Sequence, residues 1–154
     1  MGRIDYYDDP AAPAANSLVV AVVVVVLDGD RVLMIQRSDN GRWALPGGGQ
    51  ELGESVRDAA IRETREETGL DIEITGVTGI YSDPRHVIAY DDGEVRQEFA
   101  LCLTGRATGG QMRTSSESTR VEWVPIADLP DLDASAATRR RIEHAVTGSG
   151  PHID

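Results

Sequence analysis

The chain has 154 residues, 40% of them hydrophobic, so its length suits one globular domain and its apolar content excludes a largely disordered chain. Its formal net charge of −11 argues against binding to nucleic-acid backbones, which requires a basic surface. Small anionic substrates are not excluded, because a cation held by carboxylates can reverse the local charge.

The first 17 residues, MGRIDYYDDPAAPAANS, are expected to form an extended lead-in, because Pro10 and Pro13 disfavour a helix. This segment lacks the charged-then-apolar pattern of a signal peptide. Cys102 is the only cysteine, so no intrachain disulfide can form. A reducing, cytoplasmic location is the simplest expectation.

Residues 18–27, LVVAVVVVVL, form a valine-rich apolar run that favours a buried β-strand. This run is too short to span a bilayer, so no membrane association is expected. It ends at the turn signal Asp28-Gly29-Asp30, and residues 32–36 are expected to return as a second strand. The glycine-rich stretch 38–50 predicts a loop.

The composition of residues 54–68 predicts a helix, with Gly69 as its C-cap. Ser135–Val146 is expected to form a closing helix with Ser135 as its N-cap, and residues 148–154 are expected to be a loose tail. Between the helices, four segments have strand character: 72–81, 86–90, 95–105 and 119–125. The order of these elements indicates one mixed α/β (α+β) domain with a largely β core.

The predicted helix 54–68 carries an unusual cluster of acids. On a helical wheel, Glu63 and Glu67 share one stripe with Ala59 and Ala60, while Glu66 lies on the adjoining edge. Buried carboxylates without compensation are costly, and a bound Mg²⁺ or Mn²⁺ would resolve the conflict, since both ions prefer oxygen ligands. Alternatively, RETREE forms a solvated, salt-bridged helix face, because Glu and Arg are good helix formers.

The pattern around this helix favours the first interpretation. From Gly48 the chain has five residues, Glu54, seven residues, and then RETREETGL, which ends at Leu70. This pattern resembles the Nudix box, G-x5-E-x7-R-E-U-x-E-E-x-G-U, in which U is a bulky aliphatic residue. All seven fixed positions match, and Thr64 departs from the first U position.

Further landmarks extend the resemblance over residues 18–146: the valine-rich strand, Pro46-Gly47-Gly48 before the box, and Trp123-Val124. The resemblance implies the Nudix fold, a mixed β-sheet sandwiched between α-helices. Residues 18–147 would then be a single Nudix hydrolase domain, with no assignment for the lead-in.

The resemblance also implies a reaction, the metal-dependent cleavage of a diphosphate bond in a nucleoside diphosphate linked to another group. Its implied Mg²⁺ or Mn²⁺ ligands are Glu63, Glu66, Glu67 and the carbonyl of Gly47. Arg62 and Glu54 resemble the pair that holds the loop to the helix. Gly48 and Gly69, the two glycines of the box, are expected to have structural roles.

The general base is left open among three acids. Glu66 lies beside the implied metal ligands, whereas Glu117 resembles a downstream loop glutamate that other family members use, and Glu98 is a third choice. Glu117 and Glu98 are equally compatible with ordinary solvated side chains.

Substrate contacts are predicted from residue type alone. Four arginines are candidates for phosphate binding, and Tyr81 or Trp43 for stacking on a base, although each also suits a surface or core role. His86 is expected to be a loop histidine. The four arginines are Arg37, Arg42, Arg85 and Arg96.

Pro84 follows Leu70 by fourteen residues, close to the spacing of a proline that marks the ADP-ribose branch of the family. The expected partner is therefore a small nucleotide, with a preference for nucleotide sugars and no nucleic acid. A nucleoside triphosphate pyrophosphohydrolase and a non-catalytic, nucleotide-binding regulatory module are the alternatives. The apolar first strand is compatible with a homodimer.

Overall fold

The computed structural model describes residues 2–154, and within that range it has ten β-strands, two α-helices and one 3₁₀ helix, Ile126–Asp131. The helices are α1 (Val56–Thr68) and α2 (Ala136–Thr147). The strands are β1 (Arg3–Tyr7), β2 (Ser17–Asp28), β3 (Arg31–Arg37), β4 (Trp43–Ala44), β5 (Gly47–Gly49), β6 (Leu70–Tyr81), β7 (His86–Tyr90), β8 (Val95–Gly110), β9 (Ser118–Pro125) and β10 (His152–Ile153).

The sheet is mixed, and its centre is the parallel pair β2–β8, in which residues 17–26 pair with residues 96–105. Strands β6 and β7 join β8 antiparallel, and β1 joins β7. The far end of β2 pairs with β3, which carries β4 and β9 into a second part of the sheet. The valine run predicted as a buried strand therefore forms the middle of the fold.

Each face of this sheet is covered by one helix. On one face, Ala59 and Ala60 of α1 pack against Val22 and Val24 of β2. On the other face, Ile142 of α2 packs with the cluster that contains Val25. Side chains alternate along a strand, so the valine run supplies both cores at once. This arrangement confirms the predicted sheet between helices.

The ends of both helices follow from local sequence. Ser55 caps α1 by accepting a hydrogen bond from the Asp58 N–H, and the Asp58 carboxylate accepts one from the Ser55 N–H. Gly69 ends α1 in the left-handed conformation with φ 79°, as the sequence predicts. Ser135 caps α2, again as predicted, by accepting from the Thr138 N–H.

The segments at both ends of the chain are more ordered than the sequence predicts. Residues 3–7 of the lead-in form β1, which pairs along its whole length with β7. The tail 148–154 was expected to be loose, yet His152–Ile153 pairs in parallel with Gly79–Ile80. Gly79 permits this docking, because a Cβ there would lie 2.5 Å from the His152 carbonyl oxygen.

Side-chain contacts also hold the tail in place. The His152 ring stacks on His144 of α2, with 4.3 Å between ring centroids. The Asp154 N–H donates to the Ile80 carbonyl at 3.1 Å. Among residues 2–154, no helix is long and apolar enough to cross a membrane.

Candidate metal centre

Three glutamates converge where α1 meets the loop before β9. Glu63, Glu67 and Glu117 each offer one carboxylate oxygen, and these three atoms all lie within 4.8 Å of one another. Glu63 and Glu67 are four residues apart on α1, so they share one face of the helix. Glu117 reaches them from the loop, although it is far away in sequence.

Hydrogen bonds fix that loop against the end of α1. The Ser118 hydroxyl donates to the Glu67 carbonyl at 2.7 Å, and the Arg113 N–H donates to the Thr68 carbonyl at 2.8 Å. The Ser38 N–H donates to the Glu117 carbonyl at 3.0 Å. Sequence analysis missed Ser118, because nothing local separates it from the other hydroxyl residues of RTSSESTR.

Two of the converging carboxylates are buried, with Glu63 9% and Glu67 4% exposed. Burial raises the pKa of Glu63, although its hydrogen bond with Arg62 opposes that change. Burial, followed by the charge of Glu63, raises the pKa of Glu67 to about 9. A divalent cation among these oxygens would remove both penalties, so the residues present fit such an ion.

The glycine-rich loop presses against the same carboxylates. The Gly47 N–H donates to Glu67 Oε2 at 3.3 Å, so Gly47 lies beside the cluster. A Cβ on Gly48 would lie 2.5 Å from Glu63 Oε1, and one on Gly47 would collide with the Val22 carbonyl. Glycine is therefore required at position 47 by close approach of the backbone, whereas a side chain at position 48 would displace the Glu63 carboxylate.

Arg62 ties this loop to the helix. Its Nε and Nη2 donate to the Glu54 carboxylate, and Nη2 also donates to the Gly49 carbonyl at 3.2 Å. Its Nη1 donates to Glu63 at 2.9 Å and to Glu66 at 3.2 Å. Hydrogen bonding to Glu54 raises the pKa of Arg62, and the same bond lowers the pKa of Glu54. Arg62 and Glu54 thus join the loop to the helix, and their role in orienting the metal ligands stays a prediction.

The structure separates the other two candidate bases from the converging set. The Glu66 side chain is 58% exposed and lies at the edge of the cluster, paired with Arg62. Glu98 lies on the opposite face of the sheet, where its carboxylate accepts from Arg141 of α2 at 3.4 Å. It shares that face with Ala100, two residues further along β8, which packs in the core beneath α2. The structure thus argues against Glu98 as the base.

Three of the residues predicted to contact substrate instead contact other residues of the protein. Tyr81 is 4% exposed, its hydroxyl hydrogen-bonds His144 Nδ1 at 2.7 Å, and burial raises its pKa to about 12. The stacking role predicted for Tyr81 is therefore wrong, because the ring belongs to the core. Arg85 pairs with Asp83 at 2.7 Å, and Arg96 pairs with Glu94 at 2.8 Å. Both pairs form within one chain segment and satisfy the charges that were expected to bind phosphate.

Arg37 lies at the end of β3. Its hydrogen bonds with Asp39, of 2.9 and 2.6 Å, raise its pKa, and the charge of Glu67 contributes further. Arg42 lies nearby on the chain and pairs with Asp133 at 3.3 Å. Asp39 and Asp133 were not singled out from the sequence, since short surface acids carry no distinguishing signal.

Trp43 lies at the edge of the core beneath α2. It is 7% exposed, and the Arg120 guanidinium lies 5.1 Å from its ring centroid. Arg120 covers the ring, so the predicted stacking of Trp43 on a base stays a prediction.

Comparisons with known proteins agree with this fold. Residues 17–145 match the family model described as the NUDIX domain. A MutT-like protein of Streptomyces ambofaciens is 38% identical over 94% of this chain and 86% of its own length. A putative 8-oxo-dGTP diphosphatase of Bacillus subtilis (strain 168) is 33% identical over 71% of this chain and 68% of its own.

Two further relatives are named for a single substrate. An ADP-ribose pyrophosphatase of Methanocaldococcus jannaschii is 33% identical over 73% of this chain and 65% of its own length. The crystal structure of an ADP-ribose pyrophosphatase from Streptococcus suis superposes with a TM-score of 0.68 at 25% identity, covering 88% of this chain and 98% of that one.

The match to the family model and the relatives named as a diphosphatase and a pyrophosphatase define the class of this protein as a hydrolase. The chain belongs to the Nudix family, whose members generally require a divalent metal ion.

Proposed function

We propose that this chain is a metal-dependent pyrophosphohydrolase that cleaves the diphosphate bond of a nucleoside diphosphate linked to another group. Nucleotide sugars such as ADP-ribose are the favoured substrates. The observation that carries the proposal is the convergence of Glu63, Glu67 and Glu117 within 4.8 Å, with two of the three carboxylates buried.

Glu63, Glu66 and Glu67 are the residues that would hold Mg²⁺ or Mn²⁺, with the backbone of Gly47 beside them; Glu63 and Glu67 belong to the converging set, and Glu66 lies at its edge. A bound cation supplies charge neutralisation of the diphosphate and activation of water. Glu117 is exposed and lies next to both buried carboxylates, so it can accept a proton from the attacking water. Arg62 fixes Glu63 and the glycine loop in position throughout.

The preference for nucleotide sugars rests on two supports. Both the archaeal relative and the streptococcal structure are named as ADP-ribose pyrophosphatases. Pro84 lies close to the spacing of the ADP-ribose branch. Hydrolysis of ADP-ribose would yield AMP and ribose 5-phosphate.

A second candidate function is pyrophosphohydrolysis of nucleoside triphosphates, ordinary or oxidised. The Bacillus subtilis relative, named as a putative 8-oxo-dGTP diphosphatase, favours this second function. The reaction would release a nucleoside monophosphate and inorganic pyrophosphate. A purely regulatory, non-catalytic module is the least supported reading, because every box glutamate is retained.

The test is a panel of nucleotide sugars, dinucleotides and triphosphates incubated with the protein and Mg²⁺ or Mn²⁺, with products separated by chromatography. AMP and ribose 5-phosphate from ADP-ribose support the first function, and pyrophosphate from triphosphates supports the second. Glu67→Gln tests whether turnover depends on the metal centre, and Glu73→Gln, an exposed acid on β6, is the matched control. Retained turnover in Glu67→Gln would exclude the proposed site.

A further inference from the structure

A buried serine joins the loop that carries Glu117 to the helix that carries the other two carboxylates of the metal centre. Ser118 is fully buried, although it directly follows the exposed Glu117. Its hydroxyl donates to the Glu67 carbonyl at 2.7 Å, a buried contact between residues 51 positions apart. Glu67 therefore supplies a buried carboxylate to the metal centre and also accepts, on its backbone, the hydrogen bond that holds the neighbour of Glu117.

This contact satisfies a carbonyl group that has no donor within α1. The last four carbonyls of a helix lack intrahelical donors, and in α1 they include those of Glu67 and Thr68. The Glu117 loop supplies both missing donors, the Ser118 hydroxyl to Glu67 and the Arg113 N–H to Thr68 at 2.8 Å. Because a buried carbonyl without a donor is costly, the end of α1 determines where the loop lies.

Within the loop, a second serine completes a connected set of hydrogen bonds. The Ser115 hydroxyl accepts from the Glu117 N–H and from the Ser118 N–H, each at 3.2 Å. The hydroxyl oxygens of Ser115 and Ser118 lie 2.9 Å apart. Since a hydroxyl has one proton, and that of Ser118 points to Glu67, the Ser115 hydroxyl donates to Ser118. The backbone on both sides of the Glu117 side chain is therefore fixed.

A shift in strand register turns Ser118 towards α1. Val121 of β9 packs against the core beneath α1, so strict alternation would place Thr119, not Ser118, on the same face. The pairing of β9 with β3 shifts between Gln36 and Arg37, which leaves Thr119 as an extra residue. Such a bulge re-aims the side chains beyond it, and Ser118 is accordingly buried while Thr119 is exposed.

We propose that Ser118 is a positioning residue for the general base. Its hydroxyl holds the loop on the end of α1, and in that position the Glu117 carboxylate reaches the buried carboxylates of Glu63 and Glu67. The inference rests on the proposed function, in which Glu117 accepts a proton from the attacking water. Ser118 contributes to the reaction only through the placement of Glu117.

The test begins with Ser118→Ala, which leaves the Glu67 carbonyl without its donor and frees the loop from α1. With the preferred substrate and Mg²⁺, kcat is expected to fall about 10- to 100-fold, the range typical of groups that orient residues at a metal site, while KM changes little. The decisive measurement is the same substitution in a Glu117→Gln background. If Ser118 acts through Glu117, the second substitution should lower kcat by no more than about twofold.

Ser135→Ala is the matched control, because it also removes a serine hydroxyl from a hydrogen bond at the end of a helix, in this case α2. It should lower the Tm, as Ser118→Ala does, and leave kcat unchanged. Binding of Mn²⁺ alone, followed by electron paramagnetic resonance, provides a readout without turnover. The affinity for Mn²⁺ should weaken in Ser118→Ala and not in Ser135→Ala, because only the former moves a carboxylate away from the converging set.

Equal losses of kcat from Ser118→Ala in the two backgrounds would show a general structural role and overturn the inference. Wild-type kcat or unchanged Mn²⁺ affinity in folded Ser118→Ala would do the same, as would wild-type kcat in Glu117→Gln. Should Ser118→Ala fail to fold by circular dichroism, Ser115→Ala removes the half-buried partner hydroxyl and must show the same dependence on Glu117. A wild-type protein that hydrolyses no nucleotide of the panel would instead refute the proposed function itself.

Discussion

Replacing Glu67 by Gln is expected to stabilise the metal-free protein at high pH while abolishing activity. Glu67 is 4% exposed, and burial together with the charge of Glu63 raises its pKa to about 9 from 4.5. A carboxyl whose pKa is raised in the folded state binds its proton more tightly there than in the unfolded chain. The free energy of unfolding of the wild type must therefore fall as pH rises from 4.5 towards 9, and glutamine removes this dependence.

The magnitude follows from the same values. Between pH 4.5 and pH 8, the loss is at most about 5 kcal/mol, at about 1.4 kcal/mol for each pH unit. Solvent relaxation around buried charges reduces that bound, so about 2 kcal/mol is the expected gain for Glu67→Gln at pH 8. In a chain of this size, that gain corresponds to a Tm increase of about 4–8 °C. At pH 5 the folded wild type is neutral at this position, so its Tm should differ from that of the variant by much less than at pH 8.

The assay is thermal melting of wild type, Glu67→Gln and the control Glu73→Gln in chelator, from pH 5 to pH 9. Adding Mg²⁺ should raise the Tm of the wild type at pH 8 and have much less effect on Glu67→Gln, because the variant lacks one ligand. A Glu67→Gln variant that is destabilised to the same extent at pH 5 and pH 8 would refute the argument, since its effect would then come from packing.

Three further predictions concern catalysis. Chelator should abolish turnover and added Mg²⁺ or Mn²⁺ should restore it, as followed by product chromatography; full turnover in chelator would rule out the metal centre. Glu117→Gln should lower kcat by about 10²–10⁴-fold with unchanged Tm, and by more than Glu66→Gln, because Glu117 belongs to the converging set and Glu66 does not. The reverse order in steady-state rates would assign the base to Glu66. Reaction in ¹⁸O-labelled water should place the label on a phosphate product by mass spectrometry, whereas label on a sugar carbon would show that water attacks carbon.

The sequence was sufficient to predict the elements whose signals are local. The valine run predicts β2 because it is apolar on both faces, and both faces of β2 are buried beneath helices. Ser135 and Gly69 mark helix ends through caps that need only a few neighbouring residues. The box glutamates Glu63 and Glu67 share a stripe with alanines, so their burial also follows from helical periodicity.

The sequence did not predict features that depend on contacts between residues far apart in the chain. Glu117 was one of three candidate bases, and only the docking of its loop on the end of α1 distinguishes it from Glu98. Tyr81 was assigned to substrate because its type suits stacking, whereas its position opposite His144 depends on the packing of α2. The tail is held by stacking of His152 on His144 and by close contact with Gly79, where a side chain would not fit. His152 and Gly79 are 73 positions apart in the chain.

A negatively charged chain can bind an anionic substrate if the carboxylates near its site are paired with positive charges. Outside the metal centre, acids near the site are matched by arginines, as in Asp39 with Arg37 and Glu54 with Arg62. Within the centre, Arg62 reaches Glu63 alone, so the charge of buried Glu67 has no direct basic partner among the described residues. A substrate diphosphate placed beside this carboxylate would add repulsion, which a divalent cation held by Glu63 and Glu67 would offset. The same cation would therefore compensate the buried carboxylates and favour binding of an anion. For this reason, substrate binding is expected to depend on the metal.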